Sequence, residues 1–562
     1  MTKKDYPNWS KEELVKEIEK LEKQKKYGLV WEDKPEDVAL LCKEKLPVLE
    51  EDKERKIITD KEKPYNILIE GDNYHALSVL NYTHQNKIDV IYIDPPYNTG
   101  ANTWKYNNDY VDLEDPYRHS KWISMMEKRL KLAKNLLSKT GIIIIAIDDY
   151  ELFTLGLISD EIFGEKNRIG IIPVRNNPPG RAISKYFATQ HEYYLFYAKD
   201  MSLVKICNIQ ITDESEYKFK DALSAYKRKS LSMRGHGSIA DRPKSYYPIY
   251  IDVNSSKISL EKIPNSVELF PHKGKDGKQR VWDYPKETMK DLIERGDIEF
   301  VNEKGELKLY KKDRLEKGTR PKSLWLDSKY DSSAYGAVLL KKMFQNKRVF
   351  DYPKSLYAVI DAIFVSSNNQ KNVIVLDFFA GSGTTGHAIL ELNKKDGGTR
   401  KFILCTNNEN NICTEVCYPR IKRIIEGYKD SNNENHFGLG GNLKYFKTDF
   451  VNAEPTDINK EKMVKKSTEM LCLKEDCFEE LENGNNFKIF SNNKDKLLGI
   501  VYEDAGIAPI KKEITKSNKK FIVYIFSLDD SAREDQFEDV KDLVELRPIP
   551  AAILNVYRRI FK

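Results

Sequence analysis

The chain has 562 residues, of which 93 are Lys or Arg and 87 are Asp or Glu, so its formal net charge is +6. A chain of this length is far beyond a single small core and predicts roughly three or four domains. Its mean hydropathy of −0.61 and the lack of a long apolar stretch exclude a membrane-spanning protein, and the near balance of charge means that any nucleic-acid contact must come from local clusters of cations.

The cysteines show no spacing typical of a structural zinc site, so we expect no metal. Their number is odd, they lie at positions 42, 207, 405, 413, 417, 472 and 477, and no signal peptide precedes them. This pattern predicts reduced thiols in a cytoplasmic, nucleoid-associated protein.

Residues 1–28 contain one predicted amphipathic helix. Ser10 and Glu13 have the spacing of a capping box, and Leu14, Ile18 and Leu21 follow at helical spacing. We expect this helix to pack on its own domain or on a second subunit.

Residues 29–199 alternate apolar strands with helices, which predicts a parallel sheet covered on both faces. The predicted elements are strands at 67–70, 88–93, 141–147 and 192–197 and a helix at about 122–137. Asp148 and Asp149 follow one of these strands, but we find no further residues that would complete a nuclease metal site with them. His191 is expected to be a structural histidine with a hydrogen-bond partner.

The strand at 88–93 ends in Asp94, Pro95, Pro96 and Tyr97. The Asp94 carboxylate and the Pro95 carbonyl can each accept a hydrogen bond from an exocyclic amine, Pro96 helps to hold the loop extended, and Tyr97 can stack on a flat ring. Such a pocket suits an adenine that has been flipped out of a duplex. Taken alone, the same run is also typical of a turn after a strand.

Residues 200–335 are rich in Lys, Arg and Tyr and have little helical periodicity, so we interpret them as an inserted target-recognition domain. Cations alternate with aromatic side chains there, a pattern that suits contacts with phosphates and base edges, although a solvated loop is the alternative for each cluster. The predicted DNA contacts are Arg228, Arg234, Arg242, Lys244 and Tyr246.

Residues 336–450 contain a predicted strand, glycine turn and helix start at 372–388. Gly381 and Gly383 allow close approach of the backbone to a ligand, and Thr384 or Thr385 is expected to cap the helix. The spacing differs from both the dinucleotide and the phosphate-loop fingerprints, so a glycine turn by itself indicates only some α/β nucleotide site. After the next strand, Glu409 is placed to accept ribose hydroxyls.

Residues 451–562 are predicted to form a small α+β domain, with strands at 496–502 and 521–526 and a helix at 550–560. Its acidic stretches, which include Asp529 and Asp530, make it a poor binder of duplex DNA. We expect a role in partner binding or dimer stabilisation, with a stabilising appendage as the alternative.

Neither half of the α/β pattern closes a doubly wound sheet alone. We therefore expect residues 29–199 and 336–450 to form one Rossmann-like domain, in which Asp94 and Gly381 meet at the carboxyl ends of neighbouring strands.

The order of these motifs resembles the β-class amino methyltransferases that act on adenine N6 in DNA. Residues 66–77, taken with the Asp-Pro-Pro-Tyr-Asn-Thr-Gly run from Asp94, resemble more closely the modification (Mod) subunits of Type III restriction–modification systems. The resemblance covers about residues 1–450.

The resemblance implies S-adenosylmethionine as the cofactor and the glycine turn as its binding motif. It assigns to cofactor binding Asp72, Lys354, Ser355, Asp377, Phe379, Ala380, Gly381, Gly383, Thr384 and Glu409, with Lys354 meeting the cofactor's carboxylate and Ser355 adding a hydrogen bond. An equally good interpretation is that Lys354 and Ser355 only mark the start of a helix.

The sequence thus predicts a DNA adenine-N6 methyltransferase of α/β fold, with double-stranded DNA as substrate, a homodimeric state and a possible separate restriction subunit. An orphan methyltransferase, an RNA adenine methyltransferase and a catalytically idle specificity subunit are the alternatives.

Overall fold

The computed structural model describes residues 9–16, 31–60, 62–99, 117–180, 186–209, 215–231, 239–274, 277–315, 318–492, 494–517, 519–528 and 531–561. The chain divides into two compact units, one formed by Met1–Cys207 with Lys322–Lys562 and the other by Asn208–Pro321. Among the described residues, no helix combines the length and the apolar character that crossing a bilayer requires.

The predicted capping box is present at the N-terminus. The Ser10 amide donates to Glu13 Oε2 at 2.8 Å and the Glu13 amide donates to Ser10 Oγ at 3.2 Å, at the start of a helical segment at 11–16. The rest of the predicted helix, including Ile18 and Leu21, lies outside the described residues.

The first part of the larger unit alternates strands and helices as predicted, and the strands at 65–70, 88–93, 137–147 and 192–198 carry apolar runs that are buried on both faces. Its elements are α1 (Asp37–Glu44), β1 (Lys45–Glu51), β2 (Tyr65–Glu70), α2 (Asn73–Thr83), β3 (Ile88–Ile93), α3 (Arg118–Leu136), β4 (Leu137–Ile147), α4 (Leu152–Phe163), β5 (Arg168–Val174) and β6 (Glu192–Ala198).

The smaller unit contains two small antiparallel sheets around its own core, which includes Ile249, Ile251, Trp282 and Met289. Its elements are β7 (Phe219–Lys220), β8 (Ala225–Ser230), β9 (Ile249–Asp252), β10 (Lys257–Ser259), β11 (Val267–Leu269), α5 (Lys286–Glu294), β12 (Ile298–Glu303) and β13 (Glu306–Arg314). The sheet orders are β10-β9-β11 and β12-β13-β8-β7.

The chain then returns to the larger unit and supplies the remaining strands of its main sheet. These elements are α6 (Leu339–Met343), α7 (Leu356–Ser366), β14 (Ile374–Asp377), α8 (Thr384–Asp396), β15 (Lys401–Thr406), α9 (Tyr418–Glu426), β16 (Gly427–Lys429), β17 (Asn435–Phe437) and β18 (Asn442–Asn452).

The main sheet has nine strands in the order β1-β18-β2-β15-β14-β3-β4-β6-β5. The six strands from β18 to β4 run parallel, and antiparallel strands complete both edges. β14 lies beside β3, with Val375 opposite Val90 and Leu376 opposite Ile91. The prediction that Asp94 and the glycine turn follow neighbouring parallel strands is therefore confirmed.

The tail forms a second sheet, of order β19-β20-β21-β22-β23, and also packs into the core of the larger unit. Leu471 and Tyr557 share a buried cluster with Leu77, and the Tyr557 hydroxyl donates to the Pro47 carbonyl at 2.5 Å. Its elements are α10 (Asp457–Lys466), α11 (Thr468–Glu475), β19 (Glu479–Asn483), β20 (Phe487–Ser491), β21 (Leu497–Val501), α12 (Ile507–Ser517), β22 (Phe521–Phe526), β23 (Val544–Ile549) and α13 (Ala551–Ile560).

Candidate active site

Asp94 stands in a buried charged network directly after β3. The Lys354 ammonium contacts Asp94 Oδ1 at 2.8 Å and Glu192 Oε2 at 3.1 Å, and it donates to the Tyr97 hydroxyl at 2.5 Å. Glu192 Oε2 also accepts from the Tyr97 hydroxyl at 3.1 Å and from Asn176 Nδ2 at 2.7 Å. Glu192, at the start of β6, is 2% exposed. Two carboxylates therefore share one lysine.

Burial sets the charge states in this network. It raises the pKa of Asp94, an effect that Lys354 opposes and Glu192 reinforces. Burial works against the Lys354 ammonium, but the attraction of Asp94 and Glu192 outweighs it and raises the pKa of Lys354. Burial, followed by the charges of Asp94 and Glu192, raises the pKa of Tyr97 well above its usual value. Tyr97 is therefore a neutral phenol beside two carboxylates.

A hydrogen bond from Trp122 holds the loop that follows Asp94. The fully buried Trp122 indole donates to the Pro96 carbonyl at 2.7 Å, and Pro95 is buried. This hydrogen bond holds the Pro96 carbonyl in place.

Asp377 holds the turn that follows β14. Its carboxylate accepts the Phe379 amide at 3.0 Å and the Thr385 hydroxyl at 2.5 Å, and burial raises its pKa to about 7. Gly383 occupies the position preceding α8, where no side chain caps the helix. The prediction that Thr384 or Thr385 caps this helix is wrong, because the Thr385 hydroxyl donates back to Asp377.

Both glycines of the turn have backbone conformations that favour glycine. Gly381 has φ +49° and Gly383 has φ +79°. A Cβ at Gly381 would lie 3.2 Å from Phe350, and one at Gly383 would lie 3.1 Å from Cys417 Sγ. The turn is therefore tightly packed on its inner side, and Ala380 is only 6% exposed.

Sequence reasoning missed Arg420, which supports this turn. The fully buried guanidinium donates to Thr384 Oγ1 at 2.9 Å, to Ser382 Oγ at 3.1 Å and to the Ser382 carbonyl at 3.4 Å. Burial lowers its pKa to about 10. Its position in α9, far along the chain, gave no local signal.

The other predicted cofactor residues lie around the same edge of the sheet. Asp72 caps α2, accepting the Tyr74 amide at 2.7 Å, and lies 3.4 Å from the Arg129 guanidinium. Glu409 follows β15, and burial raises its pKa. The Ser355 hydroxyl donates to the Lys329 carbonyl at 2.7 Å.

Asp148 and His191 lie where the sequence placed them. Asp148 follows β4, the neighbour of β3, and burial raises its pKa to about 7, with Lys354 among the charges that oppose the shift. His191 Nε2 lies 2.8 Å from the Tyr193 hydroxyl, which confirms a partnered histidine. All seven cysteines are buried and free, as expected for reduced thiols.

A sequence profile described as DNA methylase matches residues 88–416, which include both motifs. The chain belongs to the DNA methylase family. It is 35% identical to the Type II methyltransferase M.KpnI of Klebsiella pneumoniae, across 62% of this chain and 82% of that protein. It is 30% identical to the Type III restriction-modification enzyme EcoPI Mod subunit of Escherichia phage P1, across 71% and 66%.

A third relative of this DNA methylase is the Type III restriction-modification enzyme EcoP15I Mod subunit of Escherichia coli, with 29% identity across 70% of this chain and 66% of the relative. The chain therefore spans about two thirds of the length of these two Mod subunits.

The glycine turn fits S-adenosylmethionine, the family's cofactor, which supplies an electrophilic methyl group on a sulfonium. The acidic residues Asp72, Asp377 and Glu409 lie at the carboxyl ends of the strands of the main sheet. Their side chains can attract a cation and accept hydrogen bonds from hydroxyl groups. Thr406 Oγ1, at the end of β15, is buried and has no hydrogen-bond partner among the described residues. An unpaired buried acceptor beside a tight glycine turn indicates a ligand with polar groups.

In the smaller unit of this DNA methylase, the predicted DNA-contact residues differ in their surroundings. Arg228 pairs with Glu299 at 2.6 Å and covers the Phe219 ring at 3.9 Å, so much of its charge is compensated. Arg242 is partly exposed, Lys244 is exposed, and Tyr246 stacks on Phe270 at 5.2 Å. Arg234 lies outside the described residues.

Proposed function

We propose that this DNA methylase transfers a methyl group from S-adenosylmethionine to the N6 amine of an adenine flipped out of double-stranded DNA, as the modification subunit of a Type III restriction–modification system. The single observation that carries the proposal is the neighbouring placement of Asp94 and the Gly381–Gly383 turn at the ends of β3 and β14.

Asp94 supplies the acceptor that the amine needs. An amine conjugated to a purine is a poor nucleophile, so hydrogen bonds from its N–H groups to Asp94 and to the Pro95 carbonyl must leave its lone pair aimed at the methyl group. Catalysis then depends on positioning, and no strong base is needed because the amine becomes acidic as the bond forms.

Lys354 occupies the place that the proposal gives to the amine. Its Nζ forms an ion pair with Asp94 Oδ1 at 2.8 Å, an oxygen that the adenine N6 group would use as its acceptor. When the base enters, Lys354 keeps Glu192 as a partner and is free to meet the cofactor's carboxylate. The Lys354 ammonium lies 4.6 Å from the Tyr97 ring centroid and covers that ring. When the ammonium moves away, the ring of Tyr97 is uncovered.

The smaller unit is the proposed target-recognition domain, within the predicted span 200–335. An insertion between the two motifs that is rich in basic and aromatic residues suits contacts with duplex DNA. An RNA enzyme would not need such an insertion. The names of the two Mod relatives support a restriction subunit as partner, and we further propose a homodimer acting at the nucleoid.

The test is long-read sequencing of DNA from a methylation-free bacterial host that expresses the chain, with Asp94→Ala as the matched control. We expect N6-methyladenine in one sequence context, on one strand, and none in the control. Modification of both strands would favour an orphan enzyme over a Type III subunit. Modified cytosine, or no modified DNA from a chain that binds S-adenosylmethionine, would overturn the adenine proposal.

A further inference from the structure

A cavity lies at the amino ends of the parallel strands, opposite the end where Asp94 stands. It has a volume of about 230 Å³ and opens where the amino ends of β2, β14 and β15 meet the end of α11. Both the main sheet and the tail contribute to its wall. Its charged and titratable lining residues are Tyr65, His84, Lys87, Lys401, Lys474, Glu475, Asp476 and Lys496.

Only two of the four lining lysines have a carboxylate partner. Lys401 pairs with Asp476 at 2.6 Å, and Lys496 pairs with Glu475 at 2.5 Å. Glu475 is also contacted by Arg547 at 2.9 Å. Both carboxylates of the lining are therefore already neutralised.

Lys87 and Lys474 have no carboxylate within 4 Å in the part of the chain that the structure describes. The Lys87 ammonium donates to the Lys474 carbonyl at 2.9 Å. The Lys474 ammonium donates to the Tyr82 carbonyl at 3.1 Å and lies 3.8 Å from the Tyr82 ring centroid. Carbonyl and ring contacts orient the two ammonium groups, and the more distant Glu475 offsets their charges only in part.

The cavity disfavours these charges in the absence of an anion. Burial, helped by Arg547, lowers the pKa of Lys474 to about 8, and burial also lowers the pKa of Lys87. Burial and the charges of Lys87, Lys401 and Lys474 lower the pKa of His84 to about 3. Lys87 is exposed and Lys474 is half-buried. A half-buried cation without a counterion in contact is costly, so an anion beside Lys474 is the ligand that this site favours.

We propose that this cavity binds a small phosphate-type oxyanion, held by the ammonium groups of Lys87 and Lys474. Drug-sized ligands occupy pockets of roughly 300–1,000 Å³, so the volume suits an ion or the phosphate of a mononucleotide. Lysine recognises phosphate as a point charge and needs no planar geometry.

The ligand would connect two parts of the larger unit. Lys87 precedes β3 of the main sheet, whereas Lys474 ends α11 of the tail. An anion between them would fix the tail against the amino ends of the strands. Because the cavity lies at the other end of those strands, its occupancy is separable from cofactor binding at the Gly381–Gly383 turn.

The experiment is titration calorimetry on the full chain with inorganic phosphate and, separately, with adenosine monophosphate. We expect a Kd of about 1 mM or tighter for at least one of them. The double variant Lys87→Met/Lys474→Met should bind about 30-fold more weakly, since both ammonium groups that hold the anion are lost. Lys394→Met, at an exposed lysine of α8, should bind like the unchanged chain. Tighter binding of the mononucleotide would identify a nucleotide site, and equal or weaker binding a free-phosphate site.

Absence of binding at about 10 mM of either anion, or equal affinity in the double variant, would overturn the proposal. Circular dichroism shows whether the double variant folds. If it does not, titration of the unchanged chain with sulfate decides, because sulfate does not titrate in this range. Its affinity should fall as the pH rises through about 8, where Lys474 loses its proton, and an affinity that is flat with pH would overturn the proposal.

Discussion

The charge on Asp94 depends on two side chains that no local pattern connects to it. Lys354 stabilises the carboxylate, whereas burial and Glu192 favour its protonated form. In our proposal, Asp94 must be ionised to accept the hydrogen bond of the amine. Activity should therefore fall as the pH drops through the raised pKa of Asp94, and Glu192 adjusts where that fall occurs.

Replacing Asp94 tests its role directly. We expect Asp94→Ala to lower the rate of methyl transfer by about 1,000-fold or more, because the acceptor that aligns the amine is lost. Affinity for S-adenosylmethionine, measured by calorimetry, should be retained because Lys354 keeps Glu192 as its partner. Residual activity near that of the unchanged chain would contradict the proposed mechanism.

Replacing Glu192 tests the electrostatic coupling. Glu192→Gln keeps an acceptor for Lys354 and Tyr97 but removes a negative charge near Asp94, which lowers the pKa of Asp94. The acid limb of the pH profile of kcat/KM should move down by about 1 pH unit. Glu161→Gln, at an exposed carboxylate of α4, serves as the control. An unmoved limb would show that Glu192 acts only in packing.

At the scale of an element, buried polar contacts join the strand, turn and helix from β14 to α8. Asp377 holds the turn from inside through Phe379 and Thr385, and Arg420 supports it from α9. The glycines allow the backbone conformation, but these buried polar contacts fix it. The cofactor motif thus depends on residues outside the glycine run.

Gly383→Asp should abolish binding of S-adenosylmethionine. The side chain would strain a residue at φ +79°, collide with Cys417 and bring a negative charge into the turn. Gly397→Asp is a matched control, since Gly397 ends the same helix at φ +68° and a Cβ there meets nothing within 4 Å. Calorimetry should show normal cofactor binding for Gly397→Asp only, and undiminished binding by Gly383→Asp would refute the placement.

At the scale of the whole molecule, the first and last residues of the smaller unit lie next to each other. Ile209 and Thr319 exchange two backbone hydrogen bonds of 2.9 Å, so the two ends of the insertion lie side by side. The insertion also has a core of its own. Both features are typical of a domain inserted into a loop.

Removing the insertion separates recognition from cofactor binding. Replacing residues 208–321 by a short Gly-Ser linker should keep affinity for S-adenosylmethionine and eliminate sequence-specific methylation of duplex DNA. Calorimetry and long-read sequencing measure the two properties on the same variant. Site-specific methylation by the shortened chain would show that recognition lies elsewhere, for example in the tail.

The sequence by itself determined the central strands of the main sheet, the capping box, the order of the two motifs and the strand–turn–helix character of the glycine segment, but not the strands β1, β5 and β18. Apolar runs, glycine turns and helix caps act over a few residues, so they can be read locally. Even so, the capping of α8 was predicted wrongly, because the Thr385 hydroxyl has a better acceptor in the buried Asp377.

Only the tertiary structure decided which side chains meet at each site. The sheet order β3-β4-β6 brings Glu192 towards Asp94, and the packing of α7 on β3 brings Lys354 there. The packing of α9 brings Arg420 under the turn, and α11 brings Lys474 beside Lys87. These contacts join residues from separate elements, whose approach is set by sheet order and by the shared core. No local pattern encodes them, because burial and ion pairing depend on the whole fold.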